Sequence, residues 1–126
     1  MAGYEEPVRG VIAVETIEPS ALIGWGMLKP FLIDPAETEL GYGVARSWWG
    51  QGYGTEIARV LLAYGFVVLG LKRIVAAVHP GNIRSRRILE RIGMHLWQKV
   101  EWPEQGMVDC YALDRTGYLA ARGAIE

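Results

Sequence analysis

Residues 48–56 read WWGQGYGTE, with glycines at positions 50, 52 and 54 directly before a long apolar run. A glycine turn that opens a helix leaves backbone N–H groups unpaired at the positive end of the helix dipole, and small residues let an anion approach them. A nucleotide-binding P-loop is excluded, because Thr55-Glu56 stands where Lys-Ser/Thr is required. The dinucleotide fingerprint is excluded as well: the spacing is G-x-G-x-G, one residue away from G-x-G-x-x-G. An anion site and a plain tight turn both remain. Glu39, on the same side of a β-prone run as Gly41 and Gly43, and His79, at the end of another, are the candidate bases. A lone histidine at a strand end is more often a surface residue. His95 reads as structural, and Cys110 as a small buried residue rather than a nucleophile. No residues have metal-ligand spacing, so no metal is expected.

The elements that must position these residues follow from the pattern. VIAVETI (11–17) and ALIGWGML (21–28) are β-prone and joined by Glu18-Pro19-Ser20, which predicts a hairpin. TELGYGVAR (38–46) is a third strand. From Tyr53 to Leu69 the chain is apolar nearly all round, which predicts a helix buried on most of its surface and stopped at Gly70. RIVAAV (73–78) is a strand. Asn82 can cap a helix over 82–93, with Ile83, Ile88, Leu89 and Ile92 inward, Arg84, Arg87 and Arg91 outward, and Gly93 at its end. Strands at 95–100 and 107–113 flank a turn, and the tail from Asp114 is weakly determined, with helix one option. The order β-β-β-α-β-α-β-β describes a mixed α/β fold, one sheet with two helices packed on it.

Composition narrows the setting. At 126 residues the chain has room for a single domain, spanning 1–126. A net charge of -1 gives no field for nucleic acid or an anionic membrane, so neither is an expected partner. The acidic N-terminus is unlike a signal peptide, no apolar stretch is long enough to span a bilayer, and one cysteine fits a reducing compartment. A soluble, cytoplasmic protein is expected.

The strand at 38–46, the turn W-G-Q-G-Y-G-T-E, the following helix and strand, and the run H-P-G-N-I-R-S-R-R-I-L-E-R-I-G-M resemble the GNAT superfamily of N-acetyltransferases. The likeness spans about residues 11–115 and is greatest to the branch that includes the ribosomal-protein-alanine N-acetyltransferases. It implies a central, largely antiparallel sheet splayed between strands 38–46 and 73–78, and acetyl-CoA as co-substrate with an amine acceptor. By resemblance, Gln51, Gly52, Tyr53, Gly54 and Thr55 cradle the pyrophosphate. Val44 and Ala45 pair their backbone with the pantetheine arm, and the N–H of one of them polarises the thioester carbonyl. Asn82 and Ser85 lie beside that arm.

Some positions depart from the family pattern. Trp49 stands where Arg or Gln is frequent, and Leu89 where many relatives carry a tyrosine acid. Ser85 is then the candidate proton donor, although a local helix-N-terminal hydroxyl bond explains it equally well. Arg86 and Arg87 are candidates for the CoA 3′-phosphate, while Arg84 and Arg91 read as a solvated face. Only residues 1–10 precede the hairpin, so the family's N-terminal helices, one wall of the acceptor site, are expected to be absent.

Trp25 and Trp97 read as core. Given the short N-terminus, some of the five tryptophans are expected at a homodimer interface. The expected reaction is acetyl transfer from acetyl-CoA to a primary amine, of a protein N-terminus or a small molecule. An α-amine of pKa about 8 is roughly a tenth neutral at pH 7, so it needs only a weak base. The alternative is a CoA-binding but catalytically inactive module, or a structural dimer.

Overall fold

The computed structural model describes residues 10–16 and 21–125. The turn at Glu18-Pro19-Ser20 lies outside the described residues. Six strands form one sheet: β1 (Gly10–Thr16), β2 (Ala21–Pro30), β3 (Thr38–Val44), β4 (Arg73–Val78), β5 (His95–Trp102) and β6 (Gly106–Asp114). Their spatial order is β1-β2-β3-β4-β6-β5, and every neighbouring pair is antiparallel except β3 with β4. That parallel pair is joined by the glycine turn and α1 (Tyr53–Ala63), the crossover that a parallel connection requires. α2 (Ile83–Arg91) links β4 to β5, and the tail is helical as α3 (Arg115–Ile125).

The β3–β4 ladder is short. Only Thr38 with Ile74 and Glu39 with Val75 are paired, so the strands part towards their C-terminal ends. The expected splay is therefore present, and it opens a gap in the middle of the sheet.

The three helices share one face. Ile57, Leu61 and Leu62 of α1 and Ile88 and Leu89 of α2 pack with Leu28, Leu40, Ile74 and Ala76, and Tyr118 of α3 joins them. The strand residues Val75, Val108 and Cys110, which point the other way, form a second cluster with Phe31 just beyond β2, and the Phe31 and Trp102 rings are 5.9 Å apart. No helix among the described residues covers that face.

The prediction of one helix from 53 to 69, buried on most of its surface, needs correction. α-Helical bonding stops at Ala63 and widens to a π turn over Tyr64–Val68, where the Leu69 N–H donates to the Tyr64 carbonyl at 3.0 Å. Only one side of α1 meets the sheet, so Val60, Val67 and Val68 stay exposed in spite of their apolar character. Ile83, assigned to an inner face, is exposed too, and Trp25 and Trp97 are partly exposed surface residues rather than core. The α2 boundaries match closely. The Asn82 side chain accepts the Ser85 N–H at 3.1 Å, and Gly93 takes a positive φ of 98° that ends the helix.

Candidate active site

The glycine turn has the geometry of a backbone cradle. Gly50 and Gly52 sit at φ 80° and 87°, where a side chain would strain the backbone, and no other atoms crowd either position. Gly52 is the N-cap of α1, and the first intrahelical N–H is that of Glu56, bonded to Gly52. The N–H groups of Tyr53, Gly54 and Thr55 precede it and are the orphan donors of the helix start. Gly54 is buried against α2: a Cβ there would stand 2.9 Å from Ile88 Cδ1. Its lack of a side chain lets the N-terminal end of α1 lie against the middle of α2 along one cleft.

Three arginines line that cleft from α2, namely Arg84, Arg87 and Arg91, spaced to share one helix face. Arg91 reaches the Thr55 hydroxyl at 3.5 Å. Arg86, expected beside Arg87, points elsewhere, donating to the Tyr111 hydroxyl at 3.3 Å and the Pro80 carbonyl at 3.2 Å. Arg84, read as solvated, lies over the Trp49 ring at 4.3 Å. Gln51 is exposed and outside the cleft lining, while Tyr53 meets Trp48 edge-on at 6.0 Å.

At the end of β3 the backbone alternates. The Ala45 N–H is committed to the Ile23 carbonyl at 2.7 Å, so the N–H and carbonyl of Val44 turn the other way, towards the splay. The Val44 carbonyl accepts the Trp49 indole N–H at 2.8 Å.

The gap between β3 and β4 holds a cavity of about 200 Å³ that is lined from both faces of the sheet. On the helix side stand Tyr42, Ser85 and Leu89; on the open side stand Trp25, Lys29 and Glu39. The Tyr42 and Ser85 hydroxyls are 3.0 Å apart, a bond that joins β3 to α2 across the gap. Burial raises the Tyr42 pKa, with the Ser85 bond and Arg84 opposing. Glu39 is 8% exposed, and its buried Oε1 has no hydrogen-bond partner. Lys29 Nζ is 4.0 Å from that oxygen. Desolvation pushes the Glu39 carboxyl above its ordinary value, and Lys29 pulls it part of the way back.

Of the expected residues, Glu39 and Ser85 therefore line one cavity, and Gly52, Tyr53, Gly54, Thr55 and Arg87 line one cleft. His79 is exposed, does not line the cavity, and offers its carbonyl to the Asn82 N–H at 2.9 Å. Sequence reasoning missed Tyr42, Lys29 and the indole of Trp49. Tyr42 carried a usable signal, because it alternates with Leu40 and Val44 and a tyrosine on an inner face needs a hydroxyl partner. No group of three or more His, Cys, Asp and Glu able to hold a metal occurs among the described residues.

Comparisons with known proteins bear on the family and the fold. A family model for the acetyltransferase (GNAT) domain matches residues 2–95. An uncharacterised N-acetyltransferase of Bacillus licheniformis is 31% identical over 104 residues, which cover 80% of this chain and 57% of that protein. The chain thus spans little more than half of that relative's length. A GNAT-family acetyltransferase from Bacillus anthracis superposes with a TM-score of 0.73 at 28% identity, covering 84% of this chain and 66% of that one. The ribosomal-protein-S5-alanine acetyltransferase of Vibrio fischeri superposes at 0.76 with 18% identity, covering 86% and 62%, a likeness of fold. The paired β3–β4 splay, the glycine cradle and the match over residues 2–95 together mean that this chain belongs to the GNAT acetyltransferase family.

Proposed function

We propose that the chain is an acetyl-CoA-dependent N-acetyltransferase acting on a primary amine. One observation carries the reading: the sheet gap is lined from both faces, with the glycine–arginine cleft adjoining it along α2 on the helix side and a desolvated carboxylate on the open side. Two substrates can then meet in the gap from opposite directions.

The cleft residues fit an extended polyanionic cofactor. The orphan N–H groups of Tyr53, Gly54 and Thr55 suit a pyrophosphate, and Arg84, Arg87 and Arg91 suit further phosphate charge. Val44 offers the backbone edge for an amide-bearing arm. When bound, acetyl-CoA supplies the acetyl thioester and takes up one proton as its thiol leaves. Glu39 removes a proton from the incoming ammonium, a task for which its raised pKa suits it. The Val44 N–H is the free donor for a developing oxyanion. Ser85 holds a proton at the helix side of the gap for the departing thiol, and Tyr42 restores it through their shared bond. The second proton that the nitrogen loses on becoming an amide makes good the one Tyr42 gives up. Positioning two reactants in one gap contributes the entropic part of the acceleration.

Release of free thiol from acetyl-CoA in the presence of a panel of amines tests the activity. CoA binding without turnover of any amine would instead support a catalytically inactive CoA-binding module. The proposal extends to a homodimer in the cytoplasm, on the strength of the exposed Leu96, Trp97 and Met107 around edge strand β5 and the single free cysteine. Sedimentation showing only monomer at micromolar concentration removes the dimer.

A further inference from the structure

We infer that the acceptor is a primary amine bearing a single positive charge with an apolar group beside it, and that Lys29 turns polyamines away. This rests on the reading of the gap as the acceptor route. Three cross-strand pairs build the open-side mouth: Trp25 with Gly43, Met27 with Gly41, and Lys29 with Glu39. All six positions share one sheet face, because partners directly opposite in an antiparallel ladder point the same way.

The two glycines decide the shape. Neither has a positive φ, so neither is required by its backbone. They provide room: a Cβ at Gly43 would collide with the indole of Trp25, and one at Gly41 would touch the same ring at 3.7 Å. Trp25 therefore lies along β3 with its indole over both, and Met27 Cγ comes within 3.8 Å of the same space at Gly41. The mouth is an aromatic and thioether floor that ends at the Glu39 carboxylate.

The charges then select the guest. Glu39 is the only acid among the described residues that line the cavity, and its buried Oε1 lacks a hydrogen-bond donor. One ammonium supplies that donor and compensates the charge. A second ammonium a few bonds further on meets the Lys29 ammonium, with no second carboxylate in the lining to offset the repulsion. An apolar substituent instead gains contact with Trp25 and Met27, and an ammonium passing the indole gains a cation–π term. A phenylalkylamine and a peptide N-terminus with an apolar first residue both present this chemistry.

The test compares phenethylamine, a lysine-free peptide amide with an N-terminal apolar residue, and spermidine, each read by thiol release. Wild type is expected to favour one of the first two over spermidine by ~10-fold or more in kcat/KM, since misplaced like charge costs several kcal/mol. Whichever of those two is faster identifies the source of the amine. Lys29→Glu places a carboxylate where the second cation would sit, and should shift the ratio towards spermidine by ~10-fold or more. Trp25→Ala should raise the phenethylamine KM with little change in kcat, and Trp25→Phe should restore it. Preference of the wild type for spermidine, or a ratio unmoved by Lys29→Glu, overturns the inference while leaving the acetyltransferase reading intact. If no amine turns over although CoA raises the melting temperature, the activity itself fails. Calorimetric titration of the CoA-bound protein with the same amines then decides the inference: tighter binding of a monoamine sustains it, and equal binding or none overturns it.

Discussion

The two mouths of the sheet gap are made of different material. On the helix side, the proposed recognition is written in the backbone: Gly50 and Gly52 in left-handed conformations, orphan N–H groups at the start of α1, and a glycine that admits α2. On the open side it is written in side chains that meet across β2 and β3, with Glu39 held dry beside Lys29 and Trp25 laid over two glycines. A backbone cradle tolerates changes of side-chain chemistry but not an added Cβ in a strained conformation. A side-chain mouth depends on the identity of each group. A substitution confined to one mouth should therefore leave the substrate of the other untouched, and each variant below tests that separation.

The largest effect is expected from Glu39→Gln. Loss of the proposed base should lower kcat by about 10²–10⁴-fold with CoA affinity unchanged. Stability should move in the opposite direction. The folded pKa of Glu39 is raised, so the folded state binds its proton more tightly than the unfolded chain. This contribution to stability is thus fully present below the unfolded carboxyl value of 4.5, is lost as pH rises through the folded value, and leaves the full cost above it. Glu39→Gln removes that cost, and its melting temperature at pH 7 should exceed that of wild type. A weaker CoA affinity in this variant would show that the mouths are not separable. The same shift places the acid limb of kcat/KM above the ordinary carboxylate range. Lys29→Met, which removes the opposing charge, should move that limb higher still.

Gly52→Val breaks the other mouth. Nothing surrounds the missing Cβ, so the whole cost is backbone strain, of order 1–3 kcal/mol. If the turn relaxes to relieve it, the N–H groups lose their aim and the KM for CoA should rise by about 5- to 150-fold, with the amine KM constant. If the turn holds, the melting temperature falls instead. Neither change occurring would mean that Gly52 is an ordinary turn residue.

These two mouths also differ in how much the sequence disclosed. The glycine cradle was legible because its determinants are adjacent in the chain and each glycine reports a backbone constraint. The splay followed from a family resemblance, and no spacing in the strands predicts it. The open-side mouth was largely hidden. Trp25 read as core because an aromatic residue in a strand usually is, and only the register of β2 on β3 shows that two glycines give it a surface seat. Tyr42 and Ser85 are 43 residues apart and meet only because β3 and α2 flank the same gap. The arginines illustrate phase: a helix turns by about 100° per residue, so moving from Arg84 to Arg86 crosses to another side. Asn82 fixes that phase by capping α2, which sends Arg84, Arg87 and Arg91 into the cleft and Arg86 to Tyr111. The apolar length of α1 misled for a related reason, since composition does not count the neighbours available to bury it.

Gly43→Ala is the acceptor-side counterpart of Gly52→Val and should be milder. The new methyl meets the indole of Trp25, but that ring is 46% exposed and can swing outward. Overpacking of this kind costs about 1–3 kcal/mol in a closed core, and an open seat should lose less. The amine KM should rise by about 3- to 10-fold and the CoA KM should not move. A change in the CoA KM would join the two mouths that the geometry separates.

The smallest expected effect lies where the mouths come closest, at Trp49. Its indole N–H donates to the Val44 carbonyl at 2.8 Å, while Arg84 rests on its ring at 4.3 Å. Val44 is the residue whose backbone faces the splay, because Ala45 is already paired with Ile23. A cofactor amide N–H that donates to the same side of the Val44 carbonyl therefore competes with the indole. Trp49→Phe removes the competing donor but keeps an aromatic face for Arg84. One neutral hydrogen bond contributes about 0.5–1.5 kcal/mol net, so the variant should bind CoA about 2- to 10-fold more tightly. Amine KM values should stay constant. Calorimetric titration with CoA reads the effect directly, and weaker binding would mean that the indole holds the cofactor rather than the strand. The sign of this small change thus separates a Val44 edge that is merely occupied in the free protein from one that the cofactor does not use.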